Sequence, residues 1–179
     1  MIPCIKGYPM RPCAGVKLTP ENVIAVTQEA WKAGYILQRK LNGDRGILEV
    51  GRNGVITLWN RYGDEYILPC NLQPFKKVLS GTVFDGEIYN GEFHPFEQLG
   101  NGDTAETRIK NCELACAMYG IPYVFGGITA DWLIGEVTLI TNPRTRMWEG
   151  VVAKAAKSKY MPLTTATQDS PLWTKLKWC

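Results

Sequence analysis

The sequence predicts a single α+β domain, residues 1–179, whose sheets are mostly antiparallel. Its 179 residues suffice for one domain with a full core but not for two ordinary ones. Most of its apolar stretches are short, strand-like and separated by turn sequences such as NGD and GRNG, which is typical of strands joined by hairpins. The stretches after Thr19 and Thr104 have helical spacing instead. Strands in this number beside few helices favour the α+β class.

The amino-terminal third is predicted to contain an extended segment and then a helix. Residues 1–18 are rich in proline and show little periodicity. In residues 19–34, Thr19 can cap a helix, Pro20 suits its first turn and Gly34 suits its end. The predicted apolar face of this helix consists of Val23, Ile24, Ala30 and Trp31.

The remaining elements follow from the same signals. A second helix is predicted for residues 103–120, with Thr104 as its cap and Cys112 and Cys116 as buried thiols one turn apart. The predicted strands, in chain order, are YILQRKL, GILEV, VITLWN, TVFDGEIYN, DWLIGEVTLI, WEGVVAKAA and PLWTKLKW.

Composition limits the possible functions. The net charge of +3 is too small to indicate a nucleic-acid partner by itself, although cationic residues cluster in KAAKSKY and WTKLKW. The six cysteines form no CxxC pair and His94 is the single histidine, so zinc-ligand spacing is absent and reduced, structural cysteines are expected. No stretch is long enough to span a bilayer and no signal-peptide pattern begins the chain, so we expect no membrane partner and a cytoplasmic location.

The stretch QRKLNGDRG places a lysine beside turn residues and an arginine. Lys40 closes a strand-like run, and a lysine attacks as a nucleophile only when it is neutral, a form that nearby cations or a metal favour. Arg45 has the planar fork that grips phosphate. Taken alone, the pattern fits a solvated hairpin lysine better.

Two acidic strands are further candidates. In FDGEIY, Asp85 and Glu87 point to one face of a strand and suit a metal or a sugar hydroxyl, although, taken alone, the motif fits a DG turn followed by an edge strand better. In WEGVVAK, Glu149 opens an apolar strand, where a carboxylate suits Mg²⁺. The alternative is an ordinary strand with charged ends.

The last candidate is WTKLKW near the carboxyl end. Lys175 and Lys177 lie two residues apart, so on a strand they share one face and form a cationic rail suited to a polyphosphate. The polar face of an amphipathic strand is the alternative.

The order of these motifs is more specific than any one of them. K-x-N-G-x-R, an aromatic RYG hairpin, DGE, EGVVAK and K-x-K follow one another from residue 40 to 177. This series resembles the covalent nucleotidyltransferases, namely ATP-dependent DNA ligases, RNA ligases and mRNA-capping guanylyltransferases. The DNA ligases are the best match, because YPMRP, LWNRYGDEY, EGVVAKAAKSKYMP and SPLWTKLKW are similar to their segments.

The resemblance implies a DNA-ligase-type adenylation domain that uses ATP and Mg²⁺. Lys40 matches the lysine that attacks the α-phosphate of ATP and becomes adenylated. The other implied roles are adenine-edge contact for Gln38, ribose and nick-phosphate contact for Arg45, phosphate contact for Arg61, ribose and metal contact for Glu87, metal binding for Glu149, and α-phosphate contact for Lys175 and Lys177.

The adenine-stacking aromatic is assigned less directly. HPFEQLGNGDTAETR is similar to the family segment that precedes a Glu-x-Arg helix, which places Phe96 in the stacking position and Glu97 where an aspartate is usual. Phe125 in YVFGG is the second candidate, for which core packing is the simpler explanation. The chain also departs from the family in having Asn42 where aspartate is usual and a short spacing from Glu87 to Phe96.

The resemblance also implies partners. Nicked double-stranded DNA is the expected substrate, with transfer of AMP to a 5′-phosphate and sealing of the strand. DNA ligases carry an OB-fold domain after the last lysine motif, whereas this chain ends two residues beyond Lys177. That end fits a minimal ligase, a ligase cut at the domain boundary, or a protein helped by an OB-fold domain or partner protein acting in trans. An RNA ligase, a capping guanylyltransferase and a non-catalytic module that binds nicked ends stay open as alternatives.

Overall fold

The computed structural model describes residues 1–100, 102–138 and 147–178. This part of the chain forms two four-stranded sheets with helices packed on them. The strands are β1 (Pro12–Lys17), β2 (Tyr35–Leu41), β3 (Asp44–Val50), β4 (Ile56–Asn60), β5 (Val83–Tyr89), β6 (Glu92–Leu99), β7 (Trp148–Ala155) and β8 (Ser170–Lys177). The helices are α1 (Val23–Lys32), α2 (Ala105–Tyr119) and α3 (Ala130–Thr138).

Both sheets are mostly antiparallel, as predicted. The first sheet has the strand order β1-β8-β7-β2, in which β1 and β8 are parallel and the other neighbours antiparallel. The second sheet has the order β4-β3-β5-β6 and is antiparallel throughout. Because β2 belongs to the first sheet and β3 to the second, the turn between them joins the two sheets.

Three groups of buried side chains hold these layers together. One lies between the second sheet and α2, where Phe75 makes edge-to-face contacts with Phe84 and Phe93. A second lies between the first sheet and the pair α1 and α3. The third connects the two sheets and consists of Met10, Leu41, Phe96, Val124 and Trp173. This third group forms the floor of the cleft described below.

Helix α2 is formed as the sequence predicts. The Thr104 side chain accepts a hydrogen bond from the Thr107 amide, and Gly120 ends the helix in a left-handed conformation that glycine adopts without strain. Cys112 and Cys116 are buried and not disulfide-bonded, which confirms that prediction. Cys179 lies outside the described residues.

Helix α1 begins later than predicted. Asn22 accepts a hydrogen bond from the Thr19 amide and donates one to the Lys17 carbonyl, both at 2.8 Å, so the residues before Val23 form a turn. The predicted apolar face is also partly wrong. Val23 is buried, but Ile24 and Trp31 are 49% and 42% exposed, since Thr27 takes the next buried position.

The strand predicted for residues 131–140 is wrong. The chain forms α3 there, and Leu133 and Val137, one helical turn apart, are buried in the core beside α1. Residues 139 and 140 lie outside the described part. A short apolar run fits a strand or a buried helix, and here packing against α1 favours the helix. None of the described helices is long and apolar enough to cross a membrane.

Candidate active site

A cleft of about 650 Å³ opens between the two sheets. All of the predicted site residues except Glu149 line it, and Glu149 bonds to two that do. Phe125, the second candidate for adenine stacking, is 49% exposed and does not line the cleft. The lining residues predicted from sequence are Gln38, Lys40, Arg45, Arg61, Glu87, Phe96, Lys175 and Lys177.

Lys40, Glu149 and Lys177 meet on neighbouring strands of the first sheet. The Lys40 ammonium pairs with Glu149 Oε1, and Lys177 Nζ donates to Glu149 Oε2 at 2.7 Å. One carboxylate therefore bridges two ammonium groups, and all three side chains are at most 36% exposed.

A β-bulge directs Glu149 toward Lys40. Lys40 pairs with Gly150 and Leu41 pairs with Trp148, so Glu149 is an extra residue in β7. Gly150 has φ 146°, and a Cβ at this position would collide with the carbonyl oxygen of Leu176 on β8. The glycine of EGVVAK is thus required by the bulge that turns the glutamate.

The environment keeps Glu149 ionised. Burial alone would raise the pKa of its carboxyl, but the hydrogen bonds and charges of Lys177 and Lys40 outweigh that effect and hold the pKa below its usual range. The site therefore carries a fixed negative charge between two cations.

Glu87 behaves in the opposite way. It lines the cleft from β5, directly across from Arg45 in the strand register, and its Oε2 is buried without a hydrogen-bond partner among the described residues. Burial raises the pKa of its carboxyl to about 7, although the charges of Arg45 and Lys40 oppose this. An unpartnered carboxylate oxygen at a cleft wall is a group that a ligand hydroxyl or a cation would satisfy.

Arg45 is held rigidly from below. Its Nε and Nη2 donate to the two oxygens of Asp85 at 2.5 and 2.6 Å, and Nη2 also donates to the Met10 carbonyl at 3.1 Å. Asp85 is fully buried and accepts a further hydrogen bond from the Tyr160 hydroxyl at 2.7 Å. Sequence reasoning placed Asp85 and Glu87 on one face but did not identify Asp85 as the partner of Arg45.

Gln38 is oriented by two backbone carbonyls. Its side-chain Nε2 donates to the carbonyls of Phe96 at 3.0 Å and Val124 at 2.9 Å. Because both neighbours are acceptors, the amide can face them only with its nitrogen. Its Oε1 is buried without a partner among the described residues, which makes it an unused acceptor at the wall of the cleft.

The aromatic floor of the cleft carries two cations. Phe96 and Trp173 pack edge to face with ring centroids 6.1 Å apart. Lys154 Nζ lies 4.1 and 4.0 Å from the two ring centroids, and Arg45 Cζ lies 4.7 and 5.3 Å from them. Trp173 was not among the sequence candidates, although it stands two residues before Lys175 on the same strand.

A second buried carboxylate anchors Lys154. Glu97, fully buried, accepts from Lys154 at 2.8 Å and from Arg108 Nε at 2.7 Å. Burial lowers the pKa of Lys154, and the charge of Glu97 opposes that shift. Arg108 also donates to the carbonyls of Asp103 and Ser158, so this network ties α2 to β6 and β7.

Arg61 and Lys175 lie nearer the mouth. Arg61 is exposed in the turn after β4, stacks on the Tyr62 ring at 4.6 Å and donates to the Tyr62 hydroxyl. Lys175 is half-buried on β8, where it pairs in register with Val152, another lining residue. Cations thus extend from the floor of the cleft to its rim.

The carboxylates present fit a divalent cation only in company with a phosphate ligand. The described residues contain no group of three or more acidic, histidine or cysteine side chains that would hold a metal alone. Mg²⁺ commonly uses one or two carboxylates together with water and substrate phosphates. Glu87, with its unpartnered oxygen, and Glu149 match that donor set.

Comparison with solved structures identifies the fold. The chain is similar to the ligase domain of LigD from M. tuberculosis, with a TM-score of 0.68, 19% identity and coverage of 96% of this chain and 59% of that one. The chain has the fold of a DNA-ligase nucleotidyltransferase domain. A LigE DNA ligase with a minimal scaffold for DNA binding gives a TM-score of 0.59, 15% identity and coverage of 94% and 68%.

The ATP-dependent DNA ligase of bacteriophage T7 in complex with ATP shares the nucleotidyltransferase fold too. Its TM-score is 0.57 at 16% identity, and the match covers 97% of this chain and 69% of that one. The chain thus spans about 59% of the M. tuberculosis ligase domain. No protein-family model and no curated protein matches the sequence.

Proposed function

We propose that residues 1–179 act as one adenylation domain, the catalytic core of an ATP-dependent DNA ligase. The observation that carries this proposal is the meeting of Lys40, Glu149 and Lys177 at one point of a cleft whose other walls supply an unused amide acceptor, a carboxylate and an aromatic floor. A cleft of about 650 Å³ is large enough for a nucleotide. The ligase fold supports the same conclusion.

In the proposed first step Lys40 attacks the α-phosphorus of ATP. A bond forms between Nζ and phosphorus, the bond to the bridging oxygen breaks, and pyrophosphate leaves. The lysine must be neutral for this attack, so its pairing with Glu149 has to be released and its ammonium proton lost. Lys175 and Lys177 are placed to neutralise the phosphates, and positioning with charge neutralisation supplies most of the acceleration.

The divalent cation implied by the fold would be held by Glu149 and Glu87 with the phosphates of ATP. When bound, Mg²⁺ neutralises phosphate charge and favours the uncharged lysine. Glu149 would release its ion pairs with Lys40 and Lys177 in order to hold the cation. Lys177 would then be available to bind phosphate.

The later steps follow from a lysyl-AMP. The AMP passes from Lys40 to the 5′-phosphate at a nick in double-stranded DNA, and a neighbouring 3′-hydroxyl displaces AMP to seal the strand. Arg61 lines the mouth of the cleft, where such phosphates would enter, and Arg45 lies deeper, over its floor. An OB-fold domain or partner in trans would complete the grip on DNA, and binding would weaken with salt because phosphate contacts release counterions.

Gln38 favours ATP over GTP. Its Oε1 is an acceptor with no partner in the described part of the chain, and the adenine amino group is a donor, whereas guanine presents a carbonyl oxygen at the corresponding position. The amide cannot rotate to offer its nitrogen without losing two hydrogen bonds to buried carbonyls. This orientation speaks against a capping guanylyltransferase.

The test is covalent labelling. The protein is incubated with Mg²⁺ and either ATP or GTP, denatured and weighed intact beside Lys40→Ala. We expect an AMP adduct from ATP in the wild type and none in the variant. Labelling by GTP alone would indicate capping, and nick sealing on RNA in preference to DNA would indicate an RNA ligase.

A matched control separates loss of the nucleophile from loss of the fold. Lys157→Ala removes a lysine outside the cleft, whose side chain is 83% exposed. This variant should form the AMP adduct like the wild type. A wild type that forms no adduct and does not seal a pre-adenylated nick would refute the ligase proposal. Binding of nicked ends without any reaction would then favour the binding module.

A further inference from the structure

Tyr160 supports Asp85 from outside the cleft lining. It lies in the segment between β7 and β8, and the proposed reaction assigns it no role. Its hydroxyl donates to Asp85 Oδ2 at 2.7 Å, the same oxygen that accepts from Arg45 Nη2 at 2.6 Å. Tyr160 does not line the cleft itself, and its hydroxyl is connected to the cleft through the Asp85 carboxylate and the Arg45 guanidinium.

The geometry leaves Asp85 no freedom. Asp85 is fully buried, and the described structure gives its two oxygens three hydrogen bonds, from Arg45 Nε, Arg45 Nη2 and the Tyr160 hydroxyl. A buried carboxylate that loses one of its three donors is held less firmly in its rotation. The hydroxyl thus selects the rotation of the carboxylate that grips Arg45 with both oxygens.

The tyrosine is itself fixed. The Tyr160 ring packs edge to face on Trp173, with ring centroids 6.2 Å apart. The Cζ of Arg108, the arginine that pairs with Glu97, lies 5.4 Å from the centroid of the Tyr160 ring. Burial, and then the charge of Asp85, raise the pKa of Tyr160 well above its usual value, which favours the protonated hydroxyl that donates to Asp85. Tyr160 therefore supports both Trp173 of the cleft floor, through its ring, and Arg45, through its hydroxyl and Asp85.

We propose that Tyr160 is a positioning residue that acts through Asp85 to hold the Arg45 guanidinium in the orientation needed to bind ATP. This inference rests on the proposed function. It deepens that function by linking the β7–β8 segment to nucleotide affinity. Arg45 stays in the cleft without Tyr160, but its guanidinium is no longer held in a single orientation.

The main experiment is a kinetic comparison of Tyr160→Phe with the wild type. The variant removes only one oxygen, so the packing on Trp173 is retained. We expect the KM for ATP in lysyl-AMP formation to rise about ten-fold, the loss of roughly one hydrogen bond to a charged group, with kcat within about two-fold. Tyr89→Phe is the matched control, because Tyr89 lies on β5 with Asp85 and packs against the same group of buried side chains. The KM of this variant for ATP should equal that of the wild type.

A double-mutant cycle distinguishes positioning from a structural role. Tyr160→Phe is repeated in an Arg45→Lys background, where the fork that the carboxylate grips is gone. If Tyr160 acts through Arg45, the second substitution adds less than about two-fold to KM. An equal rise in both backgrounds, or no rise in either, would overturn the inference.

Equilibrium binding of ATP keeps the two proposals separable. A wild type that binds ATP without forming an adduct, and a Tyr160→Phe variant that binds it about ten-fold more weakly, would refute the proposed reaction and still support positioning. Adduct formation with the same ATP affinity in both proteins would uphold the reaction and refute positioning.

Discussion

Individual residues of the cleft differ most in how their charge responds to burial. Glu149 and Glu87 are both partly enclosed acids near Lys40, yet the pKa of one lies below its usual range and that of the other is raised to about 7. Two direct lysine partners account for the first, and burial accounts for the second. The same residue type therefore serves as a fixed charge at one wall and as a titrating group at the other.

Glu87 should make stability depend on pH. Its pKa is about 7 in the folded chain against an ordinary value of 4.5, so between these limits the folded chain holds a proton that the unfolded chain has released. Its contribution is complete below pH 4.5 and is lost as pH rises through 7. The full difference is of the order of 3 kcal/mol.

The prediction is tested by the free energy of unfolding of wild type and Glu87→Gln at pH 5 and pH 8. Wild type should lose stability relative to the variant as pH rises, by up to about 3 kcal/mol. Taking this difference cancels groups present in both proteins, such as His94, whose pKa is lowered by burial. Glu29→Gln, at an exposed position on α1, should follow the wild type. Parallel curves for all three proteins would contradict the prediction.

Residue types at the site were predictable, but their partners were not. The ordered motifs predicted that Lys40, Glu149 and Lys177 would share one site, and the structure brings them together. The clamp of Asp85 on Arg45 was missed because it depends on which side chains two strands turn toward each other. Sequence spacing alone does not give that relation.

At the scale of elements, motif glycines are required by neighbouring strands. Gly150 allows the bulge in β7 that turns Glu149 toward Lys40, and a Cβ there would collide with the backbone of β8. A Cβ on Gly43, in the turn between the sheets, would likewise collide with the carbonyl oxygen of Ile88 on β5. The glycines of KxNG and EGVVAK are therefore packing requirements as well as turn signals.

Gly150→Ala should consequently lower both stability and adduct formation. The new Cβ meets backbone atoms that cannot move away, and φ 146° is strained for alanine, so a loss of about 2 kcal/mol or more is expected together with reduced lysyl-AMP. Gly135→Ala is the control, because its Cβ would meet none of the described residues within 4 Å and alanine favours a helix. It should be neutral or stabilising by up to about 1 kcal/mol. Thermal unfolding and intact mass measure both effects, and equal stability of the two variants would contradict the argument.

Which elements the sequence predicted depended on the strength of their pattern. Strands β2, β5, β7 and β8 carry strand-like patterns of apolar residues and lie close to their predicted bounds. Strand β6 was not predicted as a strand, since Pro95 and several polar residues interrupt it. The structure accommodates Pro95 because β6 is an edge strand and a register shift lies beside it.

For the whole molecule, the position of the cleft is the decisive property. Lys40 and Lys177 come from the first sheet, whereas Arg45, Glu87 and Phe96 come from the second. A nucleotide that contacts both walls would bind the folded chain and not the unfolded one. Its binding free energy would then add to the stability of both sheets at once.

ATP should therefore stabilise the entire fold, even without reaction. With Lys40→Ala, which binds without forming an adduct, ATP at one hundred times its Kd should add about 2.7 kcal/mol to the unfolding free energy. For a domain of this size that is a rise of roughly 5–10 °C in Tm. GTP at the same concentration is the control and should have a smaller effect, because guanine presents a carbonyl oxygen, not a donor, to Gln38 Oε1.

Hydrogen exchange locates this stabilisation. If ATP bridges the sheets, amide protection should increase in β2, β7 and β8 of the first sheet and equally in β3, β5 and β6 of the second. A nucleotide bound to only one wall would protect one sheet and leave the exchange of the other unchanged. Such a result would contradict a shared cleft as the nucleotide site, since each wall supplies groups that the other lacks: Lys40 and Lys177 from the first sheet, and Arg45, Glu87 and Phe96 from the second.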